Sequence, residues 1–436
     1  MLEDGVVERD LIVRDGRILA IVEPGVGQAA EEIDARGLAV MPGAVDAHAH
    51  LNEPGRADWE GWEAGTRGAA LGGITTVCDM PLNSIPATLD RAAFDAKRDA
   101  AARSAHVDHA LWGGLVDANA AKLKRLAGRG AVGVKAFLVP SGVAEFPHLS
   151  EAVLVPALRA AAAAGLLVAV HAEDRRVTDE LGRRYRKSGR HDAAAWLASR
   201  PADAEARAIS RLAIAAAEAG ARVHVVHVSS AAGVREIRRA RARGLRITGE
   251  TCPHYLTFTS ADVRRAGAAL KCAPPIRGAS DRDALWRAVL AGDLEIVASD
   301  HSPCPAGMKA GDDMFHAWGG VAGIQSFVPA LLTEGRPRGL TLARLAWLVA
   351  TAPARLLGIS RRKGVIRVGA DADLIVVDPD RRWTFTAAQL QARSAVSPYV
   401  GRRFRGAVVR TVVRGRTVQQ DGEIVSGPGW GALIRA

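Results

Sequence analysis

The chain has 436 residues, of which 48% are hydrophobic, and it carries a formal net charge of +11. This length exceeds the roughly 100 to 200 residues of an ordinary domain, so we expect one large domain and a smaller one. No run approaches the ~18 consecutive apolar residues of a membrane span, and the first residues lack the pattern of a signal peptide. We therefore expect a cytoplasmic protein with no membrane partner.

The excess of basic residues raises nucleic acid as a partner. However, these residues are scattered along segments of helical period, and aromatic residues make up only 5% of the chain. Binding of single strands requires a basic groove combined with stacking aromatic side chains. We therefore expect no nucleic-acid partner. The four cysteines are far apart and form no CxxC pair, which argues against a disulfide scaffold or a thiolate zinc site.

In chain order, residues 6–22 predict two short strands joined by an Asp15-Gly16 turn. From about residue 40 to residue 300, short runs of Val, Ile and Ala alternate with longer segments of helical period, among them residues 89–103, 151–164 and 202–219. The short runs predict eight strands, at residues 45–51, 74–80, 107–112, 133–139, 166–171, 222–228, 245–251 and 296–300. Short strands return over residues 364–425, with turns at Arg414-Gly415 and Asp421-Gly422.

Eight parallel strands with intervening helices predict an α/β fold of the (β/α)8 type, a TIM barrel. A doubly wound open sheet is the alternative, but no GxGxxG follows the first of these strands. The short strands at both ends predict one small β-sandwich domain formed from both termini. The predicted division is residues 1–42 and 361–436 for the two parts of the small domain, and residues 43–360 for the catalytic barrel.

The chemistry of a TIM barrel lies at the C-terminal ends of its strands. Five of the predicted strands carry possible metal ligands there, namely His48 and His50 on the first, Lys135 on the fourth, His171 on the fifth, His227 on the sixth and Asp300 on the eighth. A spacing of two puts His48 and His50 on one face of their strand. An isolated pair of histidines is a weak signal, but the whole set indicates a centre for Zn²⁺, Mn²⁺, Fe²⁺ or Co²⁺.

Lys135 is unusual among these residues, because an ammonium repels cations and is disfavoured by burial. Its neutral amine can react with CO2, and the resulting carbamate is an anion able to bridge two metal ions. The alternative is a lysine that pairs with a carboxylate at the mouth of the barrel. We expect carboxylated Lys135 and two divalent metal ions, zinc first, with iron, cobalt or manganese as alternatives.

Further histidines lie near the predicted strand ends. A spacing of three puts His224 and His227 on opposite faces, and His227 is nearer the strand end, so we assign His227 to the centre. His301 is expected to point away from Asp300. His254 follows the seventh strand, and we interpret it either as a substrate contact or as part of the loop structure.

Eight motifs carry a resemblance that spans nearly the whole chain. They are residues 42–50 (PGAVDAHAH), 52–61 (NEPGRADWEG), 79–84 (DMPLNS), 133–142 (GVKAFLVPSG), 250–256 (ETCPHYL), 271–277 (KCAPPIR), 299–305 (SDHSPCP) and 317–320 (AWGG). Together they resemble the cyclic amidohydrolase family of dihydroorotases, hydantoinases and allantoinases. The resemblance implies a small-molecule substrate, a dimer or tetramer, and hydrolysis of a ring amide.

The resemblance also implies how the ligands are shared. One metal is held by His48, His50 and Asp300, the other by His171 and His227, and carboxylated Lys135 bridges them. The metals activate a water and polarise the ring carbonyl. Asp300 accepts the proton of that water and delivers it to the leaving nitrogen.

The choice of substrate depends on Asn52. Dihydroorotase-like proteins place an Arg at this position, where it holds a substrate carboxylate. Asn cannot supply that charge, which favours the allantoinase branch and the conversion of allantoin, a neutral hydantoin with a ureido group, to allantoate. A hydantoinase (dihydropyrimidinase) or a dihydroorotase-like cyclic amidase is the alternative. A non-catalytic assembly protein on the same fold is disfavoured because the ligand set is complete.

The resemblance further implies substrate contacts at Asn83 and Ser302. The alternative for Asn83 is an Asx-type turn, and for Ser302 a loop hydroxyl. Cys272 and His254, in neighbouring motifs, complete the set of expected substrate contacts together with Asn52. Residues 391–393 replace a more basic run usual in the family, and the chain begins about ten residues later than allantoinase-like sequences do, which would remove one strand of the small domain.

Overall fold

The computed structural model describes residues 5–27 and 29–436. Within these ranges the strands are β1 Asp10–Arg14, β2 Arg17–Val22, β3 Ala39–Pro42, β4 Ala44–Ala49, β5 Ile74–Asp79, β6 Asp108–Leu111, β7 Gly113–Gly114, β8 Val134–Phe137, β9 Val168–His171, β10 Val223–Val225, β11 Ile247–Thr251, β12 Ile296–Val297, β13 Leu374–Thr384, β14 Arg403–Val413, β15 Arg416–Gln420 and β16 Glu423–Ile424.

The helices surround these strands. They are α1 Trp62–Leu71, α2 Arg91–Ser104, α3 Leu123–Ala127, α4 Leu154–Ala163, α5 Arg175–Lys187, α6 Ala193–Ser199, α7 Ala202–Ala219, α8 Ala231–Ala242, α9 Pro253–Thr257, α10 Ser260–Ala266, α11 Ala279–Ala291, α12 Phe327–Gly335, α13 Leu342–Ala346 and α14 Ala352–Leu356. Among the described residues, no helix has both the length and the apolar character that crossing a bilayer requires.

Strands β4 to β12 form a parallel barrel. The pairing order is β4-β5-β6 and then β7-β8-β9-β10-β11-β12, and only Trp112 separates β6 from β7, so these two form one interrupted strand. The barrel closes where the His50 N–H donates to the His301 carbonyl at 2.7 Å. Every residue of β4 and β5 is buried, as expected of strands covered on both faces. The predicted TIM-barrel fold is therefore confirmed.

All eight predicted barrel strands are present, but several are shorter than predicted, among them the sixth, which spans Val223–Val225 instead of residues 222–228. The eighth strand is the shortest. It spans Ile296–Val297 instead of residues 296–300. The backbone leaves the extended conformation at Asp300, whose φ is 45°. Just before it, Ser299 binds Asp46 of β4 through its N–H at 2.9 Å and its hydroxyl at 2.5 Å. These side-chain bonds take the place of ladder pairing and set the direction in which Asp300 leaves the strand.

The two ends of the chain form the small β domain. Strands β3 and β13 to β16 pair in an antiparallel sheet with the order β16-β15-β14-β13-β3, and β1 and β2 form a hairpin. A separate apolar core joins the hairpin to the sheet, with Ile18, Ile366 and Leu374 among its buried residues. The predicted turns are confirmed, because both residues of each have positive φ, as type I′ turns require. The domain boundaries at 42/43 and 360/361 stay predictions, which the pairing of β3 with β13 supports.

A buried ionic cluster connects the small domain to the barrel. The Lys363 ammonium contacts the carboxylates of Asp371 at 2.9 Å, Asp373 at 2.7 Å and Asp108 of barrel strand β6, and Lys363 has no exposed surface. Burial disfavours the charged lysine, but the three carboxylates outweigh it and raise the pKa of Lys363. The three aspartates resemble a metal site by proximity alone, yet the ammonium occupies the position a cation would take.

We expect Lys363→Met to destabilise the protein by about 3–5 kcal/mol, because it leaves the buried Asp373 carboxylate without its counter-ion and removes one of the partners of Asp371 and Asp108. The measurement is the midpoint of denaturant unfolding. Lys124→Met, at an exposed position on α3, is the matched control and should change stability by no more than about 0.5 kcal/mol. Equal midpoints for the two variants would show that the cluster contributes little to stability.

Candidate metal centre and active site

A cavity of about 330 Å³ lies at the C-terminal ends of the barrel strands. The six predicted ligands all line it, namely His48, His50, Lys135, His171, His227 and Asp300. They come from five different strands or from the residues that directly follow them. The parallel barrel therefore brings together side chains that are up to 252 residues apart in the sequence, His48 and Asp300.

His48, His50 and Asp300 form one group. The Asp300 Oδ1 atom lies 3.3 Å from His48 Nε2 and 3.6 Å from His50 Nε2. The potential ligand atoms of these three residues all lie within 4.8 Å of one another. This spacing suits ligands that converge on one cation.

His171 and His227 lie beside this group. Their ring centroids are 4.6 Å apart, and the His227 centroid is 5.5 Å from that of His48. Burial lowers the pKa of both histidines and also that of His48. The neutral imidazole is the form that binds a metal, so burial favours the protonation state that the centre requires.

Lys135 lies among these histidines and is fully buried. Its Nζ atom has no hydrogen-bond partner among the described residues, and neither has Nδ1 of His50 or of His227. Burial lowers the pKa of Lys135 to about 8, so part of the amine is neutral near neutral pH. A buried polar group without a hydrogen-bond partner is costly. Imidazoles together with a carboxylate form a set of metal ligands that suits divalent ions. These residues therefore fit a two-metal centre with a modified lysine.

Two carboxylates behind the centre were not predicted from the sequence. Oε1 of Glu250 lies 2.6 Å from His48 Nδ1, and Oε2 of Glu250 lies 3.0 Å from His224 Nε2. Glu173 lies 2.7 Å from His171 Nε2. Two signals could have identified them. Glu250 is a charged residue within the buried seventh barrel strand, and Glu173 lies two positions after His171, the predicted ligand of the fifth strand. As predicted, His227 and not His224 faces the cavity.

Three of the predicted substrate contacts line the cavity, namely Asn83, Cys272 and Ser302. Asn83 has a φ of 70°, and its Oδ1 atom is buried without a partner in the described part of the chain. Burial raises the pKa of the Cys272 thiol to about 12, so this cysteine is neutral. Contact with substrate stays a prediction for all three residues.

Asn52 and His254 are placed differently. Asn52 does not line the cavity. Its Nδ2 donates to the Pro303 carbonyl at 3.3 Å, which joins the loop after the first strand to the loop after the eighth. His254 is buried and does not line the cavity, one of its ring nitrogens lies within 4.8 Å of the Asp300 carboxylate, and burial lowers its pKa to about 4. Their predicted contacts with substrate stay predictions.

His301 points away from the ligand group, as expected. Its Nε2 atom lies 3.2 Å from the buried Glu60, and its Nδ1 atom accepts from the backbone of Gly323 at 3.2 Å. Glu60 in turn accepts the backbone N–H of Arg393 at 3.1 Å. Residues 391–393, the predicted departure from the family, are thus attached to the loop that follows the first strand.

Segment 315–320 forms one wall of the cavity. Two lysines hold this segment by its backbone. Lys271 donates to the carbonyls of Phe315 at 3.4 Å and Ala317, and Lys309 donates to those of Trp318 at 3.2 Å and Gly320 at 2.8 Å. The wall is therefore fixed through its main chain.

The chain resembles known proteins over almost its whole length. Residues 39–418 match the Amidohydrolase family. A curated allantoinase from Rubrobacter xylanophilus is 50% identical over 98% of this chain and 94% of its own length. An Escherichia coli allantoinase is 41% identical over 94% of this chain and 91% of its own.

Solved structures agree with this relationship. The L-hydantoinase (dihydropyrimidinase) from Arthrobacter aurescens superposes with a TM-score of 0.97 at 35% identity, over 100% of this chain and 97% of that one. The dihydropyrimidinase from Brevibacillus agri gives 0.93 at 30% identity, over 100% and 96%. The chain therefore belongs to the amidohydrolase family, as its motifs predicted.

Proposed function

We propose that this protein hydrolyses the ring amide of allantoin to give allantoate, by means of a two-metal centre. The observation that carries the proposal is the convergence of six potential ligands on one cavity, with the Lys135 amine buried and unpaired among them. The relatives named allantoinase at 39% to 50% identity support the choice of substrate.

In the proposed arrangement, His48, His50 and Asp300 hold one ion, and His171 and His227 hold the other. Carboxylated Lys135 would be a ligand shared by the two ions. Divalent ions bound there supply Lewis-acid activation of water and of the scissile carbonyl. Zinc is the first candidate, and iron, cobalt and manganese suit the same donors.

Asp300 is the residue that moves protons in this proposal. Its carboxylate lines the cavity beside His48 and His50, where a water and the ring amide would meet. As a carboxylate it accepts a proton from the attacking water, and as an acid it returns that proton to the leaving ring nitrogen. The transfer allows the ring nitrogen to leave as the neutral –NH2 of a ureido group instead of as an anion.

The polar groups of the cavity suit a neutral, amide-rich substrate. Asn83 and Ser302 supply an amide and a hydroxyl that can bind ureido N–H and C=O groups. Apart from Lys135, which the proposal carboxylates, two basic side chains line the cavity, and each is already engaged. Arg200 pairs with Glu173, and Lys271 donates to backbone carbonyls. With Lys135 carboxylated, the described lining residues offer no free side-chain cation to a substrate carboxylate.

Hydantoinase activity is the second candidate, favoured by the superposition on the Arthrobacter aurescens enzyme. Turnover of allantoin, hydantoin, dihydrouracil and dihydroorotate by the purified protein separates the two. We expect allantoin to be the best substrate and dihydroorotate to be inert. If hydantoin or dihydrouracil is consumed while allantoin is not, the hydantoinase assignment replaces the proposal.

We expect a strong chelator to abolish this turnover and added zinc, cobalt or manganese to restore it. Elemental analysis should find about two metal ions per active chain. Full activity in metal-free protein would contradict the proposed centre. We also propose that the protein is cytoplasmic and forms a homo-oligomer, either a dimer or a tetramer. Light scattering of the purified protein measures the oligomeric state.

A further inference from the structure

We propose that Glu250 and Glu173 are positioning residues, each of which orients one histidine ligand, and that each serves a different ion of the centre. This inference rests on the proposed two-metal function. It adds two residues outside the six ligands and assigns them separate tasks. It also predicts which ring nitrogen each histidine presents to its ion.

Glu250 uses both of its oxygens. Oε1 lies 2.6 Å from Nδ1 of His48, and Oε2 lies 3.0 Å from Nε2 of His224. The second nitrogen of His224 lies 2.8 Å from the Thr248 hydroxyl, so this ring is held at both ends. A carboxylate accepts and cannot donate. His48 therefore carries its proton on Nδ1 and offers the lone pair of Nε2, the atom 3.3 Å from Asp300.

Glu173 makes the corresponding contact on the other side of the centre. Its Oε2 atom lies 2.7 Å from His171 Nε2. Arg200 binds the same carboxylate with two donors, Nε at 3.0 Å to Oε1 and Nη2 at 2.5 Å to Oε2. His171 thus carries its proton on Nε2 and offers Nδ1. His48 and His171 present opposite ring nitrogens, and each orientation is set by one glutamate.

The two glutamates are fully buried, so their charges require local partners. Arg200 neutralises Glu173, and Glu250 receives hydrogen bonds from two histidines. A carboxylate at the second nitrogen fixes the tautomer and the ring plane and strengthens the ligand, and its loss typically lowers metal affinity about 10- to 100-fold. If a glutamate only supported the barrel, replacing it would instead lower the stability of the metal-free protein.

The test compares Glu250→Gln and Glu173→Gln with Glu205→Gln. Glu205 is the matched control, because it is equally buried but binds Ser229 and Ser230 instead of a ligand. Metal content is measured after equilibration with graded concentrations of a chelator, and the melting temperature is measured on metal-free protein. We expect each of the first two variants to release one of its two ions about 10 to 100 times more readily. The control should retain both ions with wild-type affinity.

A second background separates the two ions. In a His48→Ala protein, adding Glu250→Gln should cause no further loss of metal affinity, whereas adding Glu173→Gln should still cause one. The effects of substitutions at residues in contact are coupled in this way, whereas the effects of substitutions at distant residues are additive. Replacement of either glutamate by Ala should be more severe than by Gln, which keeps an oxygen acceptor.

Wild-type metal affinity in both Gln variants would overturn the inference while leaving the proposed centre intact. The inference would also be overturned if the Gln variants lost metal affinity and their metal-free forms melted at a clearly lower temperature than metal-free wild-type protein. Absence of bound metal in the wild-type protein would instead overturn the proposed function together with the inference. The two failures are therefore distinguishable.

Discussion

Replacing Asp300 by asparagine is expected to lower kcat by about 10³-fold, within the range of contributions from general acid–base groups. Asparagine has nearly the same shape and keeps an oxygen in place of Oδ1. It cannot accept the proton of the attacking water or return it to the leaving nitrogen. Some metal should remain bound, because His48 and His50 are unchanged and the amide oxygen can still act as a ligand, although a weaker one than the carboxylate.

The measurement is turnover of allantoin with the metal content determined on the same sample. Asp312→Asn is the control, since Asp312 is an exposed carboxylate, and it should leave kcat unchanged. Thermal unfolding of the metal-free variants checks that the fold is intact. If Asp300→Asn retains more than a tenth of the wild-type kcat at full metal content, another group carries the proton.

Lys135→Ala is expected to remove nearly all activity and at least one of the two metal ions. The side chain is fully buried among three histidines and has no partner among the described residues. As an ammonium it would repel cations bound there, and as a carbamate it would supply an anionic ligand to them. The proposed centre would therefore depend on this modification. The measurements are metal per chain and kcat, with and without added bicarbonate.

Lys135→Arg distinguishes this explanation from the alternative of a lysine that pairs with a carboxylate. Arginine keeps the positive charge but stays charged at all accessible pH values and so forms no carbamate. We expect it to be as inactive as Lys135→Ala and insensitive to bicarbonate. A Lys135→Arg protein that kept two metals and most of its activity would refute the bridging role.

The barrel was predictable because its signals are local. Buried parallel strands read as short runs of Val, Ile and Ala, and the helices between them have a period that the sequence displays directly. The ends of strands were less predictable, because side chains compete with the ladder there. The eighth strand stops early because Ser299 binds Asp46, a partner 253 residues away that no local pattern reveals.

The candidate site was partly predictable for a related reason. The six proposed ligands lie at strand ends, so their positions followed from strand counting. Glu250 and Glu173 did not, because an acid near a strand looks solvent-exposed until its partners His48 and His171 are placed in space. The partner of Asn52 was not predictable from the sequence either. Its Nδ2 donates to the Pro303 carbonyl in the neighbouring loop, and its contact with substrate stays a prediction.

The way segment 315–320 is held has a consequence for changing the substrate range. Lys271 and Lys309 bind its carbonyl oxygens, which every amino acid possesses. Random substitution at His316, whose side chain lines the cavity, should therefore yield many folded variants. Gly320 is an exception, since a Cβ atom there would lie 2.2 Å from the Ser302 carbonyl oxygen. A library that varies residues 315, 316 and 318 while keeping glycine at 320 would explore new ring substituents on an unchanged metal centre.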